Sequence, residues 1–463
     1  MSFFFLLFPL LLLLLHSIFR RIRVFQTFSR IGISGPKPNL FFGNLRHLRQ
    51  NPNPNDVIDL WTRQFGRVFG FFRGAQPVLV VGHWPLVRRL FGSSLLPNRP
   101  KNVIKAVPFV DSVIFVRNQS WRRIRSVIVF ALKRLEISGL LRQTVRQTVE
   151  ERVLQLVGDG GVCDVTLLTQ EIAFDVICKA GLHWTPDSKD DIRRSLDAYL
   201  EMAVNIIVDV VTCFPPLRPI LAFLNNHVTA GRVTDRVMRH VQRLLDAPEA
   251  EDECVSVLHD FRRAMATGQM TRAEAVANCH VLLIAGYETT STALSFSLFL
   301  LAQNPQIQEQ LRRQINSSSS SELLNAVWME SLRLFPPVTS FITRIVERDV
   351  SVDNLRIPAQ TVVQLPLFQL HRDADLWPNP DRFDPNRFIT TVSPHFLAFG
   401  LGPRDCPGRQ FARILALEVI SKIVGNFQIS VCFQTSKLRF RSPTEVVIKA
   451  RENIKLNFTR ISL

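Results

Sequence analysis

Paired cysteines are missing from this chain. Its seven cysteines, Cys163, Cys178, Cys213, Cys254, Cys279, Cys406 and Cys432, are odd in number, and none forms a Cys-x-x-Cys pair. That argues against a structural zinc site and against a disulfide framework. A reducing compartment fits best. Runs of Lys and Arg with interleaved aromatics are missing too. The formal net charge of +17 therefore does not describe a nucleic-acid binder. Its positive charges are scattered, many of them on the polar faces of expected helices. Two uses remain: attraction to an anionic cytoplasmic leaflet and docking of an acidic redox partner. Long linkers are also absent. Length alone suggests about three domains, yet nothing separates them. With 46% hydrophobic residues over 463 positions the chain can bury one large core. One mainly helical domain with smaller β-sheets is expected.

The N-terminus lacks charge until Arg20. Phe3 to Phe19 is almost wholly apolar, no basic residue precedes it, and Arg20, Arg21 and Arg23 follow at once. A basic n-region and a small-residue cleavage site are both absent, which argues against a cleaved signal peptide. The run is at the low end of the roughly 17–25 residues a span needs. Its basic C-terminal flank leaves the rest of the chain in the cytosol. The expected division is a signal anchor over 1–19, a basic, Pro-rich hinge over 20–45 and a catalytic domain over 46–463. Gly35-Pro36-Lys37-Pro38 stiffens that hinge.

Further along, Arg67 to Val81 alternates as a two-stranded ribbon turning near Gly74, and Pro85 opens a short helix through Phe91. Leu140 to Cys178 has the three- and four-residue steps of two core helices. Asp190 to Val211 and Ile220 to Leu245 predict another helical pair. The segment Cys213 to Pro219 between them holds three prolines and is expected to be non-helical. Thr271-Arg272-Ala273-Glu274 has the form of a capping box, and the chain beyond it carries no proline until Pro305. That predicts one unusually long helix. Ser317 to Ser321 is a run of five serines, a flexible link. Val350 to Phe368 alternates as a hairpin about Asp353-Asn354. Gln428 to Phe433, Lys437 to Arg441 and Val446 to Ala450 read as closing strands.

Four motifs carry chemistry. In Phe399-Gly400-Leu401-Gly402-Pro403-Arg404-Asp405-Cys406-Pro407-Gly408, one cysteine sits in a Gly- and Pro-rich loop just ahead of an expected helix. A thiolate at a helix N-terminus is stabilised by the dipole and by free N–H groups. Pro407 follows it and has no N–H to offer the sulfur, while Asp405 is expected to point to solvent. Ala285-Gly286-Tyr287-Glu288-Thr289-Thr290-Ser291 interrupts the long helix with residues that cost helix propensity, which predicts a local opening with room for a ligand. Trp121 and Arg125 are four apart and share one helix face. Glu330 and Arg333 are three apart on a helix ended by Pro336-Pro337, with Arg387 further on.

Together these resemble the cytochrome P-450 superfamily of haem-thiolate monooxygenases, whose ligand signature Phe-x-x-Gly-x-Arg-x-Cys-x-Gly is filled at every fixed position. Within it, Ala-Gly-Tyr-Glu-Thr-Thr-Ser is similar to the broad microsomal group with steroid- and drug-oxidising members. The resemblance implies an α+β fold with a long central helix over haem b. Cys406 would ligate the iron, with Phe399, Gly402 and Gly408 shaping the loop about the cofactor. Trp121, Arg125, Arg344 and Arg404 would hold the propionates, and Glu288 and Thr289 would deliver protons. Glu330, Arg333 and Arg387 would form a buried structural cluster, although Asn386 stands where glutamate is commoner. Ile284, Ala285, Val338, Thr339 and Phe341 would face the substrate, with the stretch Val107 to Phe115 and a roof near Phe214 and Leu217. The implied partners are an NADPH-dependent flavoprotein reductase, an apolar small molecule and the endoplasmic reticulum membrane, spanned once. His371 and His395 would be left to loop hydrogen bonding. Family members usually carry some tens of residues more near Ser317–Ser321. Alternatives stay open: a haem-thiolate peroxide isomerase or dehydratase that needs no reductase, a non-enzymatic haem sensor, or a basic membrane-tethered scaffold without cofactor.

Overall fold

In the computed structural model, the described residues are 2–51, 53–101, 109–185, 189–202, 206–225, 227, 230–247, 255–317, 322–435, 437–440 and 447–461. The longest element follows from its ends. Thr271 Oγ1 accepts from Glu274 N–H, and the Glu274 carboxylate accepts from Thr271 N–H, so the capping box forms. The helix then runs from Arg272 to Gln303, and Pro305 opens the next one. It is buried on almost every side, as a helix apolar all round must be. The largest core cluster wraps it with the helices Val165–Val176, Glu322–Leu334 and Arg409–Asn426.

Nine strands among the described residues make three small sheets. The first is β1 (Val68–Arg73), β2 (Gln76–Val81), β7 (Val362–Gln364) and β4 (Thr343–Ile345), in that order. The second is β3 (Gly160–Asp164), β9 (Lys455–Arg460) and β8 (Phe427–Val431), and the third is the hairpin β5 (Val350–Val352) with β6 (Leu355–Ile357). The expected hairpin about Asp353 is therefore real but short. Val362–Gln364 leaves it to pair parallel with β2 and antiparallel with β4. At the C-terminus β8 forms as expected, but its partner is Lys455–Arg460, which periodicity did not single out. Of the other two closing strands only the bridge between Phe440 and Ala450 is present, and 441–446 lie outside the described residues. So do Ser318 to Ser321, Val107 and Pro108.

The Cys213–Pro219 segment departs from expectation. Pro215–Leu217 is a 3₁₀ turn, and a helix starts at Arg218 with Pro219 in its first turn. Proline is tolerated there because the first N–H groups of a helix have no intrahelical partner. The N-terminal run is a helix over Ser2–Phe25. The side chains of 1–11, 13 and 14 lie outside the description, and among the described residues no helix is long and apolar enough to cross a membrane. Arg21 ties this helix to the domain. Its Nη1 donates to Cys213 O at 2.6 Å and its Nη2 to Phe41 O at 2.5 Å, and its guanidinium lies 5.6 Å from the Phe214 ring centroid. Phe214 thus sits under an arginine, whereas Leu217 is exposed.

Behind the cysteine loop the expected charge cluster forms. Glu330 and Arg333 are both fully buried and meet through two hydrogen bonds of 2.7 and 2.8 Å. Arg333 also donates to His371 O and Arg382 O, and Arg387 Nε lies 3.4 Å from Glu330. Asp384 N–H adds a third donor to Glu330 at 2.9 Å, so this carboxylate ties its own helix to the segment that carries Asp384 and Arg387. The side chain of Asn386, at the departure from the usual pattern, donates to Asp384. Replacing Glu330 with Ala strands two guanidinium groups in the interior. The expected loss is about 3–5 kcal/mol, measured as a lowered denaturation midpoint and a reduced folded yield of Glu330→Ala.

Candidate active site

The loop Phe399–Gly408 is shaped by two constraints. Gly402 has φ +73°, and a Cβ there would lie 2.2 Å from Phe91 O, so only glycine permits the loop to lie on the Trp84–Gly92 helix. Cys406 N–H donates to Phe399 O at 2.8 Å, which turns the thiol to the head of the Arg409–Asn426 helix. Phe399 and Gly402 thus act here on the backbone path. Of the six free cysteines among the described residues five are buried, and Cys406 alone is exposed. Yet burial is the largest influence on its thiol, pushing the pKa up; the Gly408 N–H lowers it, Asp405 raises it, and Arg409 and Arg125 lower it. Exposure and burial coexist because the sulfur opens onto an interior space. Gly408 supplies the donor that Pro407 cannot.

Four arginines converge on that space. Arg404 donates Nε to Pro97 O, Nη1 to Val113 O, and Nη2 to Val116 O and Asn98 Oδ1, and stacks 4.1 Å from the buried Trp121 ring. This leaves one N–H of its fork, so Arg404 is first a staple. Arg344 is buried on β4 and gives one N–H each to Thr343 O and Leu401 O. Burial lowers it to about 9, with Arg99 repulsion second. Arg404 is lowered to about 9 by burial and then by Arg99, Arg344, Arg125 and Arg117.

Arg125 also has a partner within the cysteine loop. It clasps Asp405, through Nη1 to the carbonyl at 2.9 Å and through Nη2 to the carboxylate. Arg409 reaches the same carboxylate at 3.4 Å. Asp405 therefore does not point to solvent: two cations draw it inward. Sequence reasoning missed Arg99. Its side chain makes no hydrogen bond among the described residues, its buried Nε is an orphan, and it lies 4.8 Å over the Phe341 ring. Burial lowers Arg99 to about 10, with Cys406 raising it and Arg125 lowering it. It occupies an irregular stretch, Pro97-Asn98-Arg99-Pro100, that offers no periodicity to find it by.

On the central helix Ala285 is exposed and Gly286 and Thr289 are half-open, although the turns around them are buried. The expected opening exists, but as small side chains on an unbroken helix. Thr289 Oγ1 donates to Ala285 O at 2.6 Å. Glu288 faces elsewhere, since neighbours on a helix diverge by about 100°. It is buried, its Oε1 lies 2.6 Å from Lys449 Nζ, and it borders a separate polar cavity of about 190 Å³ with Asp197 and Ser291. The proton pair is thus not brought together on one face. Ile284 and Thr339 are buried, Val338 and Phe341 half-buried, and Phe115 meets Phe341 edge-on at 6.4 Å. His371 is buried and accepts from Leu397 N–H, and His395 packs edge-on against Trp84 at 4.5 Å, so both have loop roles.

A soft thiol facing an interior space, and guanidinium groups held together without enough carboxylates, fit an iron porphyrin, whose metal would take the sulfur and whose propionates would take donors left over, such as Arg99 Nε. Known proteins agree. The sequence model described as Cytochrome P450 matches residues 33–458. The chain is 28% identical over 452 residues to Cytochrome P450 3A30 of Fundulus heteroclitus, covering 89% of each. It is equally 28% identical to Cytochrome P450 3A13 of Mus musculus, over 88% of this chain and 87% of the relative. Cytochrome P450 3A12 of Canis lupus familiaris is 28% identical over 458 residues, 88% of this chain and 87% of its own. The chain belongs to the cytochrome P450 family, and is a haem b-dependent monooxygenase, an oxidoreductase.

Proposed function

We propose that this enzyme inserts one oxygen atom of O₂ into an apolar small molecule such as a lipid, sterol, terpenoid or aromatic xenobiotic. Its electrons come from NADPH through a flavoprotein reductase. The observation that carries the reading is Cys406, the one exposed thiol among the described residues, beside Arg99, whose buried Nε has no hydrogen-bond partner among them. Bound haem supplies the redox-active iron. Cys406 is its ligand, and the Gly408 N–H steadies the sulfur. Arg99, Arg344, Arg125 and the spare N–H of Arg404 hold the propionates, with Trp121 as the platform beneath Arg404. Glu330, Arg333 and Arg387 keep the loop in place from behind.

Protons enter from the polar side of the central helix. Glu288, held by Lys449 beside the cavity, is the acid on that side, and Thr289 Oγ1 is the hydroxyl on the open face beside Ala285. Ile284, Ala285, Val338, Thr339 and Phe341 are the apolar walls that exclude bulk water. The catalytic domain over 46–463 sits on the cytosolic face of the endoplasmic reticulum membrane, with 1–19 as a single-pass anchor and 20–45 as the hinge. Support comes from the apolar N-terminal run with its basic flank and from exposed Phe41, Ile220, Phe223 and Leu224 near the Arg21 contact.

Cys406→Ser is expected to abolish the red-shifted Soret band of the reduced carbon-monoxide complex. A variant that keeps it would refute the ligand assignment. Arg99→Gln removes a charge-assisted contact, and haem should leave the folded protein about tenfold faster, read as transfer to excess apomyoglobin. In a reductase-coupled assay, Thr289→Ala should go on consuming NADPH while product per NADPH falls on the order of tenfold and hydrogen peroxide rises. Reductase-independent rearrangement of a peroxide by the unaltered enzyme would overturn the monooxygenase reading of this site.

A further inference from the structure

The basic flank of the N-terminal helix does not act as one group. Arg20 and Arg23 are exposed, but Arg21 is half-buried and turned into the protein. A cation at the edge of an apolar helix ordinarily reaches for lipid head groups. Arg21 instead gives Nη1 to Cys213 O and Nη2 to Phe41 O, and its guanidinium lies 5.5 Å from the Phe25 ring centroid and 5.6 Å from that of Phe214. Cys213 closes the helix Ile206–Cys213, whose last carbonyls lack intrahelical partners and carry the negative end of its dipole. Arg21 thus caps a helix 192 positions away.

Nor is the stretch beyond Arg21 a swivel. Phe25 meets Phe72 of β1 edge-on at 4.9 Å, and the buried Phe28 packs on the same ring at 5.2 Å. Gly70 N–H donates to Ser34 O at 2.9 Å, and a Cβ on Gly35 would lie 1.8 Å from Gly70 O, so the strap lies directly on β1. The buried Asn44 accepts from Phe72 N–H and donates to Lys37 O. The strap from Phe25 to Asn44 is therefore held to the sheet at its start, middle and end. The other side of the clasp is fixed as well. Ala75 N–H reaches Thr212 O at 3.1 Å, and Asp209 pairs with Arg49 at a recess of about 40 Å³ that Arg73, Thr339 and Ser340 also border. Arg21 and Phe25 are one turn apart on one face of the N-terminal helix. Two holds a turn apart fix a direction, where a single contact leaves a pivot.

We propose that Arg21 locks the N-terminal helix and the catalytic domain into one rigid body, so that the tilt of the helix in a bilayer fixes the tilt of the domain and its haem. This rests on the single-pass anchor proposed above. A locked domain turns only about the bilayer normal, whereas a swivelling one also wobbles. The test is the decay of haem absorption anisotropy after polarised photolysis of the carbon-monoxide complex, with the full-length holoenzyme in phosphatidylcholine vesicles. The unaltered enzyme should keep a constant residual anisotropy. Arg21→Gln should raise the unlocked population at least about tenfold, read as a fall in that residual. Phe25→Ala, which removes the second hold, should lower it too, and Arg20→Gln, at an exposed site, should leave it unchanged. Complete decay in the unaltered enzyme, an unchanged residual in Arg21→Gln, or an equal fall in Arg20→Gln would each overturn the lock. Flotation of the vesicles separates the two readings: enzyme left in the aqueous fraction overturns the anchor and the lock with it, whereas bound enzyme that wobbles freely overturns the lock alone.

Discussion

One guanidinium holds the functional end of this protein together. Arg404 spends four hydrogen bonds on the stretch from Pro97 to Val116, two residues from Cys406. That contact fixes the cysteine loop from one side while Gly402 lies flat on the Trp84–Gly92 helix from another. It also creates the electrostatic problem that the cofactor resolves. Arg404 is drawn into the space that Arg99, Arg344 and Arg125 share, and each cation there lowers the pKa of another. A cluster of this kind is stable only beside anions. Asp405 is one, taken by Arg125 and Arg409, and the propionates of a bound haem would be others.

The central helix separates two kinds of environment by its faces alone. Ala285 and Thr289 share the open side because they are one turn apart. Glu288 falls on the polar side, against Lys449 and the larger cavity. An acid and an alcohol next to each other in sequence therefore serve two compartments. The helix backbone lies between the polar cavity and the open face.

Much of this was legible beforehand. The loop around Cys406, the capping box at Thr271, the ribbon turning at Gly74 and the Glu330–Arg333 spacing are all contained within a few residues. Their chemistry is set by local geometry, which sequence spacing encodes directly. Errors clustered where a strand chose a distant partner, as Val362–Gln364 did with β2, and Lys455–Arg460 with β3 and β8. Alternation shows that a stretch is extended and leaves open which edge it joins.

The sequence by itself determined the kind of site: a thiol ahead of a helix, a helix with small residues at its middle, and a buried acid–arginine pair. Tertiary structure alone decided who meets whom. It put Asp405 in the grip of Arg125, 280 positions away, gave Glu288 to Lys449 and gathered Arg49, Arg73 and Asp209 around one recess. It also revealed Arg99, from a loop without pattern. The physical reason is range. Hydrogen-bond spacing within a turn is written in the order of residues, whereas the partner of a buried charge is settled by which distant segments the packed core leaves facing it.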